Sequence, residues 1–310
     1  MNKRYVKRID KYVSEVGFGA WQLGGTGTWG NMSKEEGIAL VKEAVNSGVT
    51  FFDTAPGYAS GNSELILGEA LEGIREQVVI NTKVGHAPDG SWEFDREGIT
   101  RSINRSLEKL RTTYLDSVIL HNPERYILEG KSDLTEVLDE FKHKGIIKGY
   151  GVSVDSLEEL NIVLENLDVD TIEVMFNIVH QETKYAFDEI HKRGILLIIK
   201  VPLDSGWLTG KYDETSVFDG IRSRWSKETI EIRSSIVKRV KEIVGSEDLV
   251  LPALRFILSF DAVSTVIPGT KNIKQLHSNI KASDEVLEEG IKTQLEDLYD
   301  TYIKDVDTPW

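Results

Sequence analysis

Phe51-Phe52-Asp53-Thr54-Ala55-Pro56-Gly57-Tyr58 ends an apolar strand in a carboxylate and presents a phenol five residues later, past a Pro-Gly turn. Two further apolar runs end in the same manner. Val78-Val79-Ile80-Asn81-Thr82-Lys83 closes on an ammonium, and Ser117-Val118-Ile119-Leu120-His121 closes on an imidazole. Outward from these runs, β-branched strands alternate with amphipathic helices along the chain. The pattern predicts strands over 14–19, 49–53, 78–83, 115–121, 147–153, 171–176, 195–201 and 263–267. Helices are predicted over 34–47, 63–73, 95–111, 134–144, 157–166, 182–193, 228–244, 250–259 and from about Asn272. Eight strand–helix units with near-continuous apolar strands predict an α/β fold, a (β/α)8 TIM barrel. An open doubly wound sheet is disfavoured, because the first strand is followed by Gly24-Gly25-Thr26-Gly27, which lacks dinucleotide-fingerprint spacing and reads as a plain loop. Residues 1–310 read as one domain, with residues 1–13 as a cap on the barrel bottom and 284–303 as an extra C-terminal helix.

Composition narrows the class. The chain has 310 residues, enough for one large or two ordinary domains, and its 40% hydrophobic and 28% charged residues are those of a globular protein. A net charge of −14 argues against nucleic acid or an anionic membrane as partner, but leaves room for an anionic cofactor held by local cations and helix N-termini. Zero cysteines exclude disulfides, thiolate metal sites and cysteine nucleophiles. The start, Met-Asn-Lys-Arg-Tyr, leads into no apolar run, so a cytoplasmic location is expected. His86, His143, His180, His191 and His277 show no ligand spacing, and no metal is expected.

Barrel active sites sit at the C-terminal ends of the strands. Asp53, Lys83 and His121 end strands two, three and four, and Tyr58 follows strand two, so the four are predicted to converge. A phenol titrates near pH ~10 in water, and a neighbouring ammonium favours its ionised form. Asp53 is placed to hold Lys83 charged, and His121 to orient a carbonyl oxygen. Such a set suits protonation of an alkoxide that develops as a carbonyl carbon accepts hydride. Each residue also has an ordinary role: a strand-end Asp caps helices, and a loop Tyr packs.

The chain resembles the aldo-keto reductases along nearly its whole length, from Gly17-Phe18-Gly19-Ala20-Trp21 to Ile267-Pro268-Gly269-Thr270. FFDTAPGY, GNSELILGEAL, NTKVG and LDSVILHNP agree with the family in order and spacing. The resemblance implies a catalytic Asp53, Tyr58, Lys83 and His121, with Tyr58 as general acid, and an NADP(H) cofactor across the barrel mouth. It implies cofactor contacts from Gly19, Ala20, Trp21 and Asp53, and from Ser153 and Asn177 near the nicotinamide. Pro202, Leu203, Gly206, Leu208 and Gly210 match the diphosphate segment. Gly269, Thr270 and Lys271 match the end of strand eight, with Lys271 facing a 2′-phosphate, and Gln275 and Asn279 lie beside the adenosine. Val154 and Glu173 depart from the Asn and Gln of many members. Trp21, Trp207 and Trp225 are candidates for an apolar pocket wall, and Arg222 and Arg224 for contact with the cofactor or an anionic substrate; Trp92 and Trp310 have no clear place. The implied activity is NADPH-dependent reduction of a small aldehyde or ketone. An NADP(H)-binding redox sensor with little turnover, and a lyase using Lys83 as a Schiff-base amine, are the alternatives. Specificity is expected in loops 121–133 and 202–227.

Overall fold

The computed structural model describes residues 1–25 and 31–309; Thr26, Gly27 and Trp310 of the sequence reading lie outside them. Strands β1 (Lys3–Val6) and β2 (Lys11–Ser14) form an antiparallel hairpin. There follow β3 (Phe18–Gly19), α1 (Lys34–Asn46), β4 (Phe51–Asp53), α2 (Asn62–Ala70), β5 (Val79–Val84), α3 (Arg96–Lys109) and β6 (Leu115–His121). A short α4 (Arg125–Leu128) precedes α5 (Leu134–His143), β7 (Ile147–Val154), α6 (Leu157–Asn166), β8 (Thr171–Met175), α7 (Phe187–Arg193) and β9 (Leu196–Lys200). The chain ends with α8 (Lys227–Val244), α9 (Val250–Leu258), β10 (Thr265–Val266), α10 (Ile273–Ile280) and α11 (Glu289–Leu298).

Strands β3 to β10 form one 8-stranded parallel sheet in sequence order. It closes on itself: Gly17 N–H donates to Val266 O at 2.8 Å, and Val266 N–H to Glu15 O at 2.9 Å. Parallel bridges Val16–Val266 and Gly19–Gly269 continue the seam. The seam requires glycine at position 19, because a Cβ there would stand 2.9 Å from Ile267 O. This is the (β/α)8 barrel that the alternation predicts.

Period-two alternation sorts each strand. Outward residues such as Phe52, Ile80, Val152, Val174, Leu197 and Ile199 join the helices' apolar faces in the main core. Inward residues Phe51, Val79, Leu196 and Ile198 meet Val6, Ile9 and Val13 of the hairpin, which plugs the N-terminal end of the barrel. The expected cap is therefore a β-hairpin that reaches Ser14. Continuing the inward rows upward from Phe51 and Val79 puts Asp53, then Asn81 and Lys83, inside the barrel at its upper end.

Helix starts follow local chemistry. Ser33 caps α1 and Glu36 reaches back to complete a capping box, and Ser156 with Glu159 does the same for α6; each cap is worth about 1 kcal/mol. The helices depart most from the sequence pattern at α2, α7 and α11. Helix α2 stops at Ala70, residues 182–186 form a 3-10 turn ahead of α7, and α11 begins at Glu289 rather than 284. Helix α4 has one turn, too few residues to show a period. Among the described residues, no helix is long and apolar enough to cross a membrane.

Candidate active site

The upper barrel end gathers the four residues the strand ends predict. Asp53 at the end of β4 and Lys83 on β5 are both buried, and the ammonium meets both carboxylate oxygens at 2.6 and 2.7 Å. Thr54 O accepts a further bond from Lys83 Nζ at 3.2 Å, and Asn81 Nδ2 donates to Asp53 Oδ1 at 2.7 Å. Tyr58 stands over this pair, its ring centroid 5.2 Å from Lys83 Nζ. His121 meets the Tyr58 ring edge-on, centroids 6.4 Å apart. Its own backbone carbonyl is fixed by His86 Nε2 at 3.0 Å.

The Tyr58 loop is held tightly. Ala59 and Ser60 adopt φ of 49° and 54°, ahead of Gly61 at 89°. Left-handed backbone at two consecutive non-glycine residues costs of order 1–3 kcal/mol each and is the kind of strain that gathers at functional sites. Ser63, the second residue of α2, fixes the loop's far end: its Oγ donates to Ala20 O at 2.9 Å and lies 2.9 Å from Thr54 Oγ1.

Electrostatics correct one expectation. Lys83 does pull the Tyr58 pKa down, by charge and a hydrogen bond, but burial raises it more, and Asp53 and Glu173 raise it further. The phenol thus sits above its ordinary value and stays protonated at neutral pH. A proton donor needs only to be a stronger acid than the alkoxide it serves, and a phenol remains so. Burial first, and then Lys83, pushes His121 down to about 3, so the imidazole is neutral. Burial alone would lower Lys83, yet Asp53 and Glu173 hold it above its usual value as an ammonium. That disfavours a Schiff-base mechanism, which needs the free amine.

Glu173 is the second carboxylate of the site. Its Oε2 lies 3.2 Å from Lys83 Nζ, and its Oε1 accepts from Ser153 Oγ at 3.1 Å. Burial and repulsion by Glu173 push Asp53 up to about 7, against the pull of Lys83 and Asn81. Burial would raise Glu173 as well, but Lys83 and Lys200 bring it below the carboxylate range. The two carboxyl groups titrate as a pair.

A cavity of about 570 Å3 opens above these residues. Of the implied cofactor contacts, Gly19, Trp21, Asp53, Pro202, Leu203, Gly206, Gly269, Lys271 and Gln275 line it. Ala20, Ser153, Asn177, Leu208, Thr270 and Asn279 are buried behind the wall, and Gly210 stands outside the lining. Asn177 is engaged locally: its amide donates to Val201 O at 3.0 Å and accepts from Val179 N–H at 2.8 Å. Asn279 Nδ2 donates to Thr270 Oγ1 at 3.1 Å, bracing the β10 end from below. Val154 faces outward into the main core, away from the cavity.

Two of the three candidate wall tryptophans are core residues. Trp207 and Trp225 are buried, 5.8 Å apart, and pack with Tyr212 and Phe218 as the loop's own core. Trp21 is 44% exposed and does line the cavity, its ring 6.3 Å from Tyr58. Trp92 lies at the rim against His86, 4.9 Å between centroids. The sequence reading missed Gln22, Asn122 and Lys200, which also line the cavity. Lys200 ends β9, so the rule that singled out Lys83 applied to it equally. Among the described residues, no cluster of His, Asp and Glu could hold a metal.

Residues 15–300 match the model of the aldo/keto reductase family. The chain belongs to that family. An uncharacterized oxidoreductase of Bacillus subtilis is 26% identical over 299 residues, covering 94% of this chain and 95% of its own. L-galactose dehydrogenase of Arabidopsis thaliana is 27% identical (88% and 85% covered), and the NADH-specific methylglyoxal reductase of Escherichia coli 26% (91% and 93%). An aldo-keto reductase of Bacillus halodurans in its holo form superposes with a TM-score of 0.82 at 24% identity over 100% of both chains, which shows the shared fold. As a member of the family the chain is an oxidoreductase that uses a nicotinamide cofactor.

The cavity fits such a group. Lys200, Lys211, Arg222 and Lys271 bring cations to its lining in a chain of net charge −14. Gly269 keeps room beside Gln22, since a Cβ there would stand 2.5 Å from the Gln22 amide nitrogen. In the cavity wall, residues 201–206 include a run of left-handed backbone, with Asp204 pinned to buried Arg233.

Proposed function

We propose that this protein is an NADPH-preferring carbonyl reductase that converts a small aldehyde or ketone to an alcohol, with Tyr58 as the general acid. The observation that carries the reading is the buried Asp53–Lys83 pair beneath the Tyr58 phenol, with neutral His121 beside it at the floor of the cavity. When bound, reduced nicotinamide supplies a hydride to the carbonyl carbon. Tyr58 Oη gives its proton to the oxygen on which charge develops. Lys83, held charged by the carboxylates, stabilises the phenolate left behind. His121, being neutral, is able to donate one hydrogen bond to that oxygen and so orient it.

Pro202, Leu203, Gly206, Gly269 and Lys271 would hold the cofactor along the cavity wall, and Lys271 would meet a 2′-phosphate. Helix α10 supports it: capped by Asn272, it starts two residues past Lys271, whose backbone N–H is met by Gln275 Oε1 at 3.1 Å. The test is oxidation of NADPH and, separately, NADH with a panel of aldehydes and ketones, for the wild type and Tyr58→Phe. Turnover with NADPH that Tyr58→Phe abolishes supports the reading. Tight NADPH binding with no turnover on any carbonyl refutes it in favour of a redox sensor.

A further inference from the structure

The segment after β9 keeps left-handed backbone at Val201 (φ 54°), Asp204 (45°), Ser205 (53°) and Gly206 (100°). The first three are not glycine, so this shape costs free energy and persists only where the surroundings over-determine it. In that shape Leu203, Ser205 and Gly206 line the cavity. Within the segment, Leu203 O accepts from Gly206 N–H at 2.8 Å and Leu208 N–H at 3.2 Å. Asn177 grips one end, at Val201 O. The middle is gripped by Asp204, which is fully buried and pairs with Arg233 of α8, itself 1% exposed.

Arg233 has a second engagement. Its Nη2 donates to Thr308 O at 3.0 Å and to Pro309 O at 2.8 Å. The Trp225 ring lies 5.3 Å from the guanidinium, and its indole N–H donates to the same Pro309 oxygen at 3.3 Å. The chain leading there is moored to α8 as well: Tyr302 Oη meets Ser235 Oγ at 3.0 Å, and Arg239 lies 4.1 Å from the Tyr302 ring. A guanidinium presents its donors in one rigid plane, so the edge it offers Asp204 is oriented by what its other edge holds. In a buried place a donor edge without acceptors is costly, and two backbone carbonyls fill it here.

We propose that residues 304–309 form a strap that sets the cofactor segment from behind, with Arg233 as the positioning residue that couples the two through Asp204. The inference rests on reading the cavity as a nicotinamide-nucleotide site and adds a control on how tightly the nucleotide is held. With the strap seated, Arg233 is fixed and Asp204 keeps the turn in its left-handed shape. With the strap lifted, Asp204 loses a fixed partner and the turn relaxes. The apparent affinity then falls in proportion to the molecules that keep the competent shape. Coupling is reciprocal, so a bound nucleotide tightens the strap by the same factor. The segment matches the one that meets the diphosphate, which NADPH and NADH share, so both feel the strap equally. That separates Arg233 from Lys271, which acts on NADPH alone.

The test uses the full chain and reads binding and exchange rather than turnover. Fluorescence titration gives Kd for NADPH and for NADH, and hydrogen exchange follows the amides of residues 304–308 with and without NADPH. Arg233→Lys keeps a charge beside Asp204 and loses the edge that holds the strap. Trp225→Phe keeps a ring over Arg233 and removes the N–H that holds Pro309 O. In the wild type, NADPH should slow exchange at 304–308. Arg233→Lys should abolish that protection and raise both Kd values roughly tenfold, as when about one molecule in ten keeps the shape. Trp225→Phe should move both readouts the same way, by roughly two- to tenfold, the worth of one neutral hydrogen bond. Arg233→Lys with a lower melting temperature but both Kd values unchanged would have lost a merely structural contact, which overturns the proposal. So does faster exchange at 304–308 in Trp225→Phe with nucleotide affinity unmoved. If Arg233→Lys does not fold, the Trp225→Phe result decides alone. A wild type that binds neither nucleotide overturns the strap together with the cofactor reading. One that binds NADPH, shows the coupled protection and reduces no carbonyl supports the strap and refutes only the reductase activity.

Discussion

Replacing Lys83 by Met tests the electrostatics of the site through stability as well as rate. The side chain is fully buried, and its ammonium is the cation that both Asp53 and Glu173 face at 2.6 and 3.2 Å. Methionine fills nearly the same volume, so little of the effect comes from packing. Removing one partner of a buried ion pair costs about 3–5 kcal/mol when the remaining charge stays ionised. Here two carboxylates remain, and they escape part of that cost by taking up protons. Their folded pKa values then lie well above the unfolded ~3.9 and ~4.3. An acid whose folded pKa is raised contributes stability that is complete below its unfolded pKa and is lost as pH rises through the folded one. The Lys83→Met penalty must therefore grow between acid and alkaline pH. With roughly 2 °C per kcal/mol for a chain of this size, melting at pH ~8 should fall by about 6–10 °C, and at pH ~5.5 by less than half of that. Calorimetry or dye melting at both pH values measures it. Adding Glu173→Gln should return a large part of the loss at pH ~8, because one carboxylate then remains instead of two. A loss independent of pH, or larger in acid, would show that the carboxylates are not held by Lys83.

Tyr58→Phe retains the ring against Trp21 and His121 and removes only the proton; kcat for carbonyl reduction should fall by roughly 10²–10⁴ with cofactor affinity kept, as measured by steady-state kinetics and fluorescence titration. Lys271→Ala should weaken NADPH binding roughly ten- to a hundredfold, the worth of a hydrogen bond to a charged group, and leave NADH nearly untouched; an equal loss for both cofactors would remove Lys271 from the 2′-phosphate. Gly151→Ala would push a Cβ to within 1.6 Å of Thr171 O across the β7–β8 pairing; overpacking of that kind costs about 1–3 kcal/mol or more, visible as a lower denaturant midpoint.

The barrel was legible because its strands are short, apolar and regularly spaced, and because one face of each helix repeats at helical period. What escaped the pattern did so for identifiable reasons. The hairpin cap has exposed Tyr5 and Tyr12 in tilted contact across its outer face, 5.2 Å apart, so its composition resembles a surface loop more than a strand pair. Strand β10 has two residues and depends on its neighbours for register, with Thr265 paired to Ile198 and Val266 to Ile199. Trp207 and Trp225 looked like pocket walls because they sit in a mouth loop. The loop carries its own aromatic core, and a tryptophan inside such a core has the same sequence surroundings as one lining a pocket.

The site shows where strand-end reasoning works and where it stops. Asp53, Lys83 and His121 were legible because inward rows alternate strictly, so a polar residue in phase with Phe51 or Val79 must enter the barrel. The same phase argument places Glu173, two residues past Thr171, and Ser153, two past Gly151, on the interior. Phase says which side chain enters; it says nothing of the partner it meets across the barrel, because that distance is set by how the sheet closes. Asp53 and Glu173 lie 120 residues apart in the chain and come together around one ammonium only after closure. The phenol's pKa has the same character. From sequence, the pull of Lys83 on the phenol is downward; in the folded barrel burial outweighs it, Asp53 and Glu173 add to the rise, and the phenol keeps its proton at neutral pH.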